Sequence, residues 1–175
     1  MQKISSSMTI TALILSAAFL ASTAQAEGGR FHRKNANGGI TAGSANAGTG
    51  PNGTKFQRAS GVVTDGAGNG VATSGGQVQT ANGGLASRRG KTTRTADGAV
   101  QHDSSASASG ERGSINSQGS ATRAADGTIT QSRTTQASDA NGNNYNGATS
   151  YSKESGVTHT GTCTDASGNS IPCKK

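Results

Sequence analysis

The sequence predicts an all-β fold, a repetitive antiparallel β-meander of hairpins with a period of about 29 residues. The first observation behind it is self-similarity: TTRTADGAVQH at 92–102 recurs inside ATRAADGTITQSRTTQA at 121–137. The second is a regular beat of turn residues. The third is the composition between the turns, which favours strands and contains no helical apolar stripe.

The first 26 residues have the three parts of a secretory signal peptide. Lys3 supplies positive charge, an apolar run covers 8–20, and Ala24-Gln25-Ala26 is an A-x-A cleavage site. The apolar run is shorter than the roughly 20 residues that span a bilayer, so a membrane anchor is not favoured. We expect an exported protein that begins at Glu27 and is periplasmic, at the cell surface or extracellular.

Residues 27–60 are rich in Gly, Asn and Ala and show no period. Such a composition predicts a disordered, flexible N-terminal tail. The segment also holds a basic cluster of Arg30, Arg33 and Lys34 around Phe31 and His32. Its charge is suited to contact with a polyanion.

Residues 61–160 form the predicted β-repeat region. Turn signals recur there about every 14 to 15 residues, and pairs such as Asp126-Gly127 supply the positive φ angles of tight hairpin turns. The stretch 128–135 between two turns is rich in Thr, which is stiff at χ1 and suits a pleated backbone. Proline occurs only at Pro51 and Pro172, so the repeats carry every backbone donor that strand pairing needs. Each repeat therefore comprises two strands and two turns.

A β-solenoid with rungs of about 29 residues is the alternative architecture. It would stack Arg94 on Arg123 at a spacing of about 4.8 Å, where like charges repel. It would also need an inward apolar face, whereas each repeat offers about one such position, the series Val71, Val100 and Ile129. We therefore favour the meander.

The chain ends in residues 161–175, where Cys163 and Cys173 flank a turn around Gly168. An even pair of cysteines in an exported protein indicates a disulfide, here closing a C-terminal hairpin that covers the end of the sheet. A metal pair is the weaker interpretation, because no second pair of ligands stands nearby.

Composition argues against catalysis. Aromatic residues make up 3% of the chain, and so little large apolar material cannot enclose a water-excluding pocket. His32, His102 and His159 lack the spacing of metal ligands, and the aspartates sit at turns, where Asp is favoured for backbone reasons. We expect no enzyme activity, no cofactor and no metal site.

The formal net charge of +7 favours anionic partners. No aromatic residue interleaves with the densest basic patch of the repeats, Arg88, Arg89, Lys91 and Arg94, to stack bases, so specific nucleic-acid recognition is not expected. The residues predicted to contact a polyanion, such as polysaccharide or lipopolysaccharide, are Arg30, Arg33, Lys34, Arg88, Arg89, Lys91 and Arg94. Within 85–94, Arg89 and Lys91 should share one strand face, with Arg88 and Arg94 on the other.

The leading functional hypothesis is an exported, non-enzymatic structural or adhesion component of a bacterial envelope or extracellular matrix, which associates with itself through strand edges. In combining export, polar repeats and Gly/Asn turns, the chain resembles bacterial functional-amyloid subunits, although its repeat length and Ser/Gln/Asn spacing differ from theirs. The first alternative is a monomeric binding module for anionic polymers. A second is a largely disordered chain in which only the disulfide hairpin folds.

Overall fold

The computed structural model describes residues 27–173 and contains one 11-stranded antiparallel sheet in which the strands follow one another in chain order. The predicted signal peptide and the last two lysines lie outside the described residues. The strands are β1 Glu27–Lys34, β2 Ile40–Thr49, β3 Lys55–Thr64, β4 Gly70–Gln79, β5 Leu85–Arg94, β6 Val100–Gly110, β7 Gly113–Arg123, β8 Ile129–Asp139, β9 Asn144–Ser152, β10 Gly156–Thr164 and β11 Ser170–Ile171.

The all-β class and the antiparallel meander are confirmed. Each strand pairs with its neighbour in the chain, and no helix is found among residues 27–173. Arg94 pairs with Val100 on β6, and Val100 pairs in turn with Arg123 on β7. The two guanidinium-bearing residues are thus two strands apart, about 9.6 Å, with an aliphatic residue between them. The meander in this way removes the repulsion that a solenoid would create.

The sheet begins earlier than the composition indicates, and the prediction of a flexible tail over 27–60 is wrong. Those residues form β1, β2 and the first part of β3. The repeat is hard to recognise in β2 because Gly has no side chain and Ala has only a methyl group, so the two faces of the strand look alike in the sequence. The turn beat nevertheless continues, since Gly38 and Gly53 adopt φ values of 84° and 72° between successive strands.

The predicted apolar series Val71, Val100 and Ile129 is only partly correct. Val100 and Ile129 both pair with Arg123, one on each side, so they share a row. Val71 pairs with Thr93, the neighbour of Arg94 on β5, and therefore points to the opposite face. The repeat is thus not constant along the sheet, and an apparent shift of one residue moves a side chain from one face to the other.

The Asp-Gly turns differ from the tight form that was predicted, because no residue other than glycine has a positive φ among the described residues. In the loop after β7, Ala124 N–H donates to Thr128 O and Gly127 N–H donates to Ala124 O, both at 2.9 Å. This is a three-residue loop with Gly127 in the left-handed region, at φ 87°. Asp126 instead accepts a hydrogen bond from Thr128 N–H at 2.8 Å, which fixes the turn from its side chain.

The sheet is a single layer. No side chain, apolar or polar, is buried among the described residues, and Ile115, Ile129 and Val157 are 44%, 41% and 71% exposed. Backbone ladders and cross-strand side-chain pairs therefore supply the stabilisation that a core supplies in a globular domain. Such a sheet leaves two faces and two edges available for contact.

The predicted disulfide is present. Cys163 and Cys173 are bonded with a Cα–Cα distance of 5.3 Å. Cys163 lies near the end of β10, where it pairs with Ile171 of the two-residue β11, and Cys173 follows after Pro172. The bond therefore closes the last hairpin against the end of β10.

Candidate functional surfaces

The two edges of the sheet expose unequal lengths of unpaired backbone. Within residues 27–173, strand β1 pairs only with β2, so the whole of Glu27–Lys34 has no described partner strand on its outer side. At the other edge, β11 pairs only with Cys163 and Thr164. Residues 156–162 of β10 therefore have no partner strand on their outer side within the described chain. Unpaired strand backbones are templates for a further strand.

The two edges also differ in charge. Arg30, Arg33 and Lys34 lie on β1, whereas the open part of β10, GVTHTGT, holds no Asp, Glu, Lys or Arg. Residues 157–162 are exposed and rich in Thr, and Val157 is 71% exposed. A strand of this kind has the composition that favours intermolecular β-pairing.

The structure divides the predicted polyanion-contact residues between two faces. Directly paired residues lie on the same face and neighbouring residues in a strand on opposite faces, so we name the faces after two neighbours on β5, the Arg88 face and the Arg89 face. Arg30, Lys34, Arg88 and Arg94 lie on the Arg88 face; Arg33, Arg89 and Lys91 lie on the Arg89 face. The predicted division within β5 agrees with strand Leu85–Arg94. The full set therefore does not form one surface.

Three basic residues that the sequence analysis did not select complete the Arg88 face. Arg58 pairs with Gly76, which pairs with Arg88. Arg123 occupies the row of Arg94, and Arg133 lies four residues after Ile129, which pairs with Arg123. Their place on this face follows from the strand pairing together with the alternation of side chains along each strand. On the Arg89 face, by contrast, Lys91 stands directly opposite Asp103, whose charge offsets it.

A row of hydroxyl groups crosses the middle of the Arg88 face. It runs from Arg30 through Ser44, Ser60, Ser74, Gly90, Ser104 and Gly119 to Arg133. We call it the serine row. Ser44 Oγ and Ser60 Oγ are 3.0 Å apart, and Arg133 Nη1 donates at 2.9 Å to Ser117 Oγ, which lies in the adjacent row of Arg58 and Arg88. The row carries donors and acceptors but no carboxylate.

Glycine leaves a hollow beside the serine row. The hollow has a volume of about 460 Å³ and is lined by Arg30, Arg58 and Arg88 together with serines and glycines of β1 to β5. Gly76 stands between Arg58 and Arg88 in their row, so no side chain separates the two arginine stems. All three arginines are exposed, so their guanidinium groups are accessible to a ligand.

A second hollow, of about 800 Å³, lies at the end of the sheet that contains the disulfide. Ile115, Tyr145, Cys163 and Ile171 are among the residues that line it. The side chain of Tyr145 extends over Gly147, where a Cβ atom would collide with the tyrosine hydroxyl oxygen. The tyrosine and the disulfide thus lie together at the end of β9 and β10.

The aspartates at three turns accept hydrogen bonds from the backbone of their own loops. Asp65, Asp139 and Asp165 each begin a D-x-x-G-N loop, and in each the carboxylate accepts backbone N–H groups and the side-chain amide of the Asn four residues on. The Asn169 side-chain amide, followed by backbone N–H groups, lowers the pKa of Asp165 from its ordinary value of 3.8. Residues 27–173 contain no group of three His, Cys, Asp or Glu placed to hold a metal ion.

Histidine makes the nearest approach to a catalytic arrangement. His102 Nδ1 lies 2.8 Å from Thr92 Oγ1, and His159 Nδ1 lies 2.8 Å from Thr149 Oγ1. The Tyr145 hydroxyl is 3.3 Å from His159 Nε2. These side chains bond across an exposed face with no carboxylate among them, so they provide cross-strand pairing and no enclosed site for chemistry.

The chain has no match among known protein families, curated protein sequences or solved structures. The described residues contain no helix that could cross a membrane. Function therefore has to be inferred from the edges and faces of the sheet.

Proposed function

We propose that this chain is an exported, non-enzymatic structural protein of a bacterial envelope or extracellular matrix, which associates with copies of itself through the edges of its sheet. The observation that carries the proposal is a single-layer sheet that ends in two strands with unpaired backbone, β1 and residues 156–162 of β10. Open edges are normally shortened or covered in monomeric proteins. Here one edge strand is eight residues long.

Charge favours pairing between unlike edges. If β1 met β1 of a second copy, one pair of eight-residue strands would hold Arg30, Arg33 and Lys34 of both copies, and these like charges would repel. Pairing of β1 with β10 of the next copy brings basic residues beside an uncharged strand. That contact is head-to-tail, and repeated head-to-tail contacts that do not close produce a filament.

Anion binding is compatible with this role rather than an alternative to it. Edge pairing uses backbone groups in the plane of the sheet, whereas the arginine side chains stand on its faces. An assembled sheet would repeat the same basic face along its length.

The test uses a lysine at the β10 edge. Thr160→Lys places a charge on the open strand, and Thr134→Lys is the matched control, because Thr134 and Thr160 both pair with Ala148, one from β8 and one from β10. Both threonines are exposed. We expect the purified protein and the Thr134→Lys control to form fibres with a reflection at about 4.7–4.8 Å, and Thr160→Lys to stay monomeric. Persistent monomer of the unsubstituted protein would refute the proposal.

A further inference from the structure

We propose that the Arg88 face binds a linear polysaccharide bearing sulfate or carboxylate groups, laid across the strands along the serine row. The proposal does not depend on self-association, because the arginines and serines that it uses belong to one chain.

The placement of the cations supports a linear ligand. Arg30 on β1 and Arg133 on β8 end the track within the serine row, while Arg58 on β3 and Arg88 on β5 lie in the adjacent row. The cations on β1, β3 and β5 are spaced by two strands, about 9.6 Å, and the track from β1 to β8 measures about 34 Å. A line of separated charges fits an extended polymer better than a single compact anion.

Charge is uncompensated along this track. Between β1 and β8, the serine row and the row of Arg58 and Arg88 contain no Asp or Glu. Asp139 is on this face only at the last residue of β8, where its carboxylate accepts N–H groups of the following loop. An anionic polymer would therefore meet guanidinium groups without an adjacent repelling carboxylate. Guanidinium groups form charge-assisted, bidentate bonds with planar carboxylates and with oxyanions.

The neutral groups of the track favour sugar over nucleic acid. Ser44, Ser60 and Ser74 present adjacent hydroxyls that can exchange hydrogen bonds with sugar hydroxyl groups. Between β1 and β8, neither row contains Phe, Tyr or Trp, and proteins that bind single-stranded nucleic acid usually stack bases on such rings. Gly76 lies between Arg58 and Arg88 and has no side chain, so a polymer can approach the backbone between the two arginines.

The experiment compares two double variants that remove equal charge from opposite faces. Arg58→Gln/Arg88→Gln alters the Arg88 face, and Arg89→Gln/Lys91→Gln alters the Arg89 face on the same strand, β5. Heparin represents a sulfated polymer, polygalacturonate a carboxylated one, and an oligo(dT) of equal total charge a nucleic acid. Binding is measured at low salt by fluorescence anisotropy, at a protein concentration where sizing shows monomer.

We expect the Arg88-face variant to weaken binding to the polysaccharides about tenfold and the Arg89-face variant to weaken it less than about twofold. The slope of log K against log salt should also become shallower only in the first variant, because fewer counterions are released. Fragments much shorter than about 34 Å should bind more weakly than longer ones. The ratio between heparin and polygalacturonate identifies the anionic group.

Equal losses in both variants would show attraction by net charge alone and would overturn the proposal. Absence of polysaccharide binding at low salt would do the same. Tighter binding to oligo(dT) than to either polysaccharide would replace the proposed ligand with nucleic acid. None of these outcomes depends on fibre formation, so failure here is distinct from failure of edge assembly.

Discussion

Strand β1 is eight residues long, basic and uncovered, whereas the opposite edge ends in the two-residue β11, which is held to β10 by a disulfide. At β1 the side-chain charge of Arg30, Arg33 and Lys34 opposes pairing with an identical strand. At β10, β11 covers the last residues of the edge, and residues 156–162 contain no Asp, Glu, Lys or Arg and have no partner strand on their outer side in the part of the chain that the structure describes. We therefore expect association with another copy to be limited at the β1 edge by charge repulsion and at the other edge by the disulfide. The two limits can be tested separately.

The largest effect is expected from removing the disulfide. Cys163→Ser/Cys173→Ser should release β11 and cost about 2–3 kcal/mol of local stability, because a loop between residues ten positions apart is no longer closed. Hydrogen exchange at Ser170 and Ile171 should rise accordingly. Once all of β10 is open, the lag before fibre formation should shorten severalfold. Reduction of the unsubstituted protein should reproduce both changes, and an unaltered lag would show that the hairpin does not limit this edge.

Two glycine substitutions in turns compare an interior hairpin of the sheet with the hairpin that joins β10 to β11. Gly127 and Gly168 have φ values of 87° and 86°, and a Cβ atom on either would meet nothing within 4 Å. Alanine at either position should therefore cost about 1 kcal/mol through backbone strain alone. Gly127→Ala should lower the free energy of unfolding of the whole sheet in urea, since its loop joins two central strands. Gly168→Ala should affect exchange only at β11. Equal global effects would mean that the edge hairpin is not an independent unit.

Repulsion at β1 should respond to salt. Raising the ionic strength from about 0.01 M to 0.15 M shortens the Debye length from about 30 Å to about 8 Å. At low salt the repulsion restricts assembly to the head-to-tail contact of β1 with β10, whereas screening also allows β1 of one copy to pair with β1 of another, so we expect fibre formation of the unsubstituted protein to accelerate a fewfold. Arg33→Gln should accelerate it at low salt and reduce the further gain from salt, whereas Arg89→Gln, on the same face but on an interior strand, should leave the salt response unchanged. An identical salt response in all three proteins would exclude edge repulsion as the cause.

The smallest effect is expected on acidification. The pKa of Asp165 is lowered in the folded state by the Asn169 side chain and by backbone N–H groups, so the carboxylate contributes stability at neutral pH. That contribution is lost as the pH falls below about 4 and passes through the lowered pKa. The protection factor of the Ser170 amide, which corrects for the intrinsic pH dependence of exchange, should fall over this range. Asp165→Asn keeps a side-chain acceptor that does not titrate and should flatten the profile, while an unchanged profile in that variant would show that another group is responsible.

Most of the β-architecture could be predicted from local signals. Asp-Gly turns, Thr-rich stretches and the absence of proline between Pro51 and Pro172 each act over a few residues, and they correctly gave paired strands in a meander. The same reasoning failed over 27–60. There β2 consists mainly of Gly, Ala and Asn, and half of the residues of β1 are charged, so the side chains gave no apolar–polar alternation, although Asn-Gly pairs kept the turn beat.

The candidate surface could be predicted only in part. Arg30, Arg88 and Arg94 were selected because they stand in dense basic clusters of the sequence. Arg58, Arg123 and Arg133 are isolated in the sequence and become neighbours of that set only through strand pairing. Arg33, Arg89 and Lys91 belong to the same clusters but point the other way. Basic residues that are close in the sequence therefore need not share a face, because neighbouring residues of a strand point to opposite faces.

The sequence by itself determined where the chain turns, that the strands between turns are extended and polar, and that two cysteines close the last hairpin. Only the tertiary structure decided which residues of different strands share a face. Hairpin Gly110–Gly113 encloses two residues where the neighbouring loops are longer, so the row of Arg94 and Arg123 follows a shift of 29 residues, while Thr41 reaches its row partner Val71 by a shift of 30. Because side chains alternate with a period of two, one residue of loop length exchanges the faces for every strand that follows.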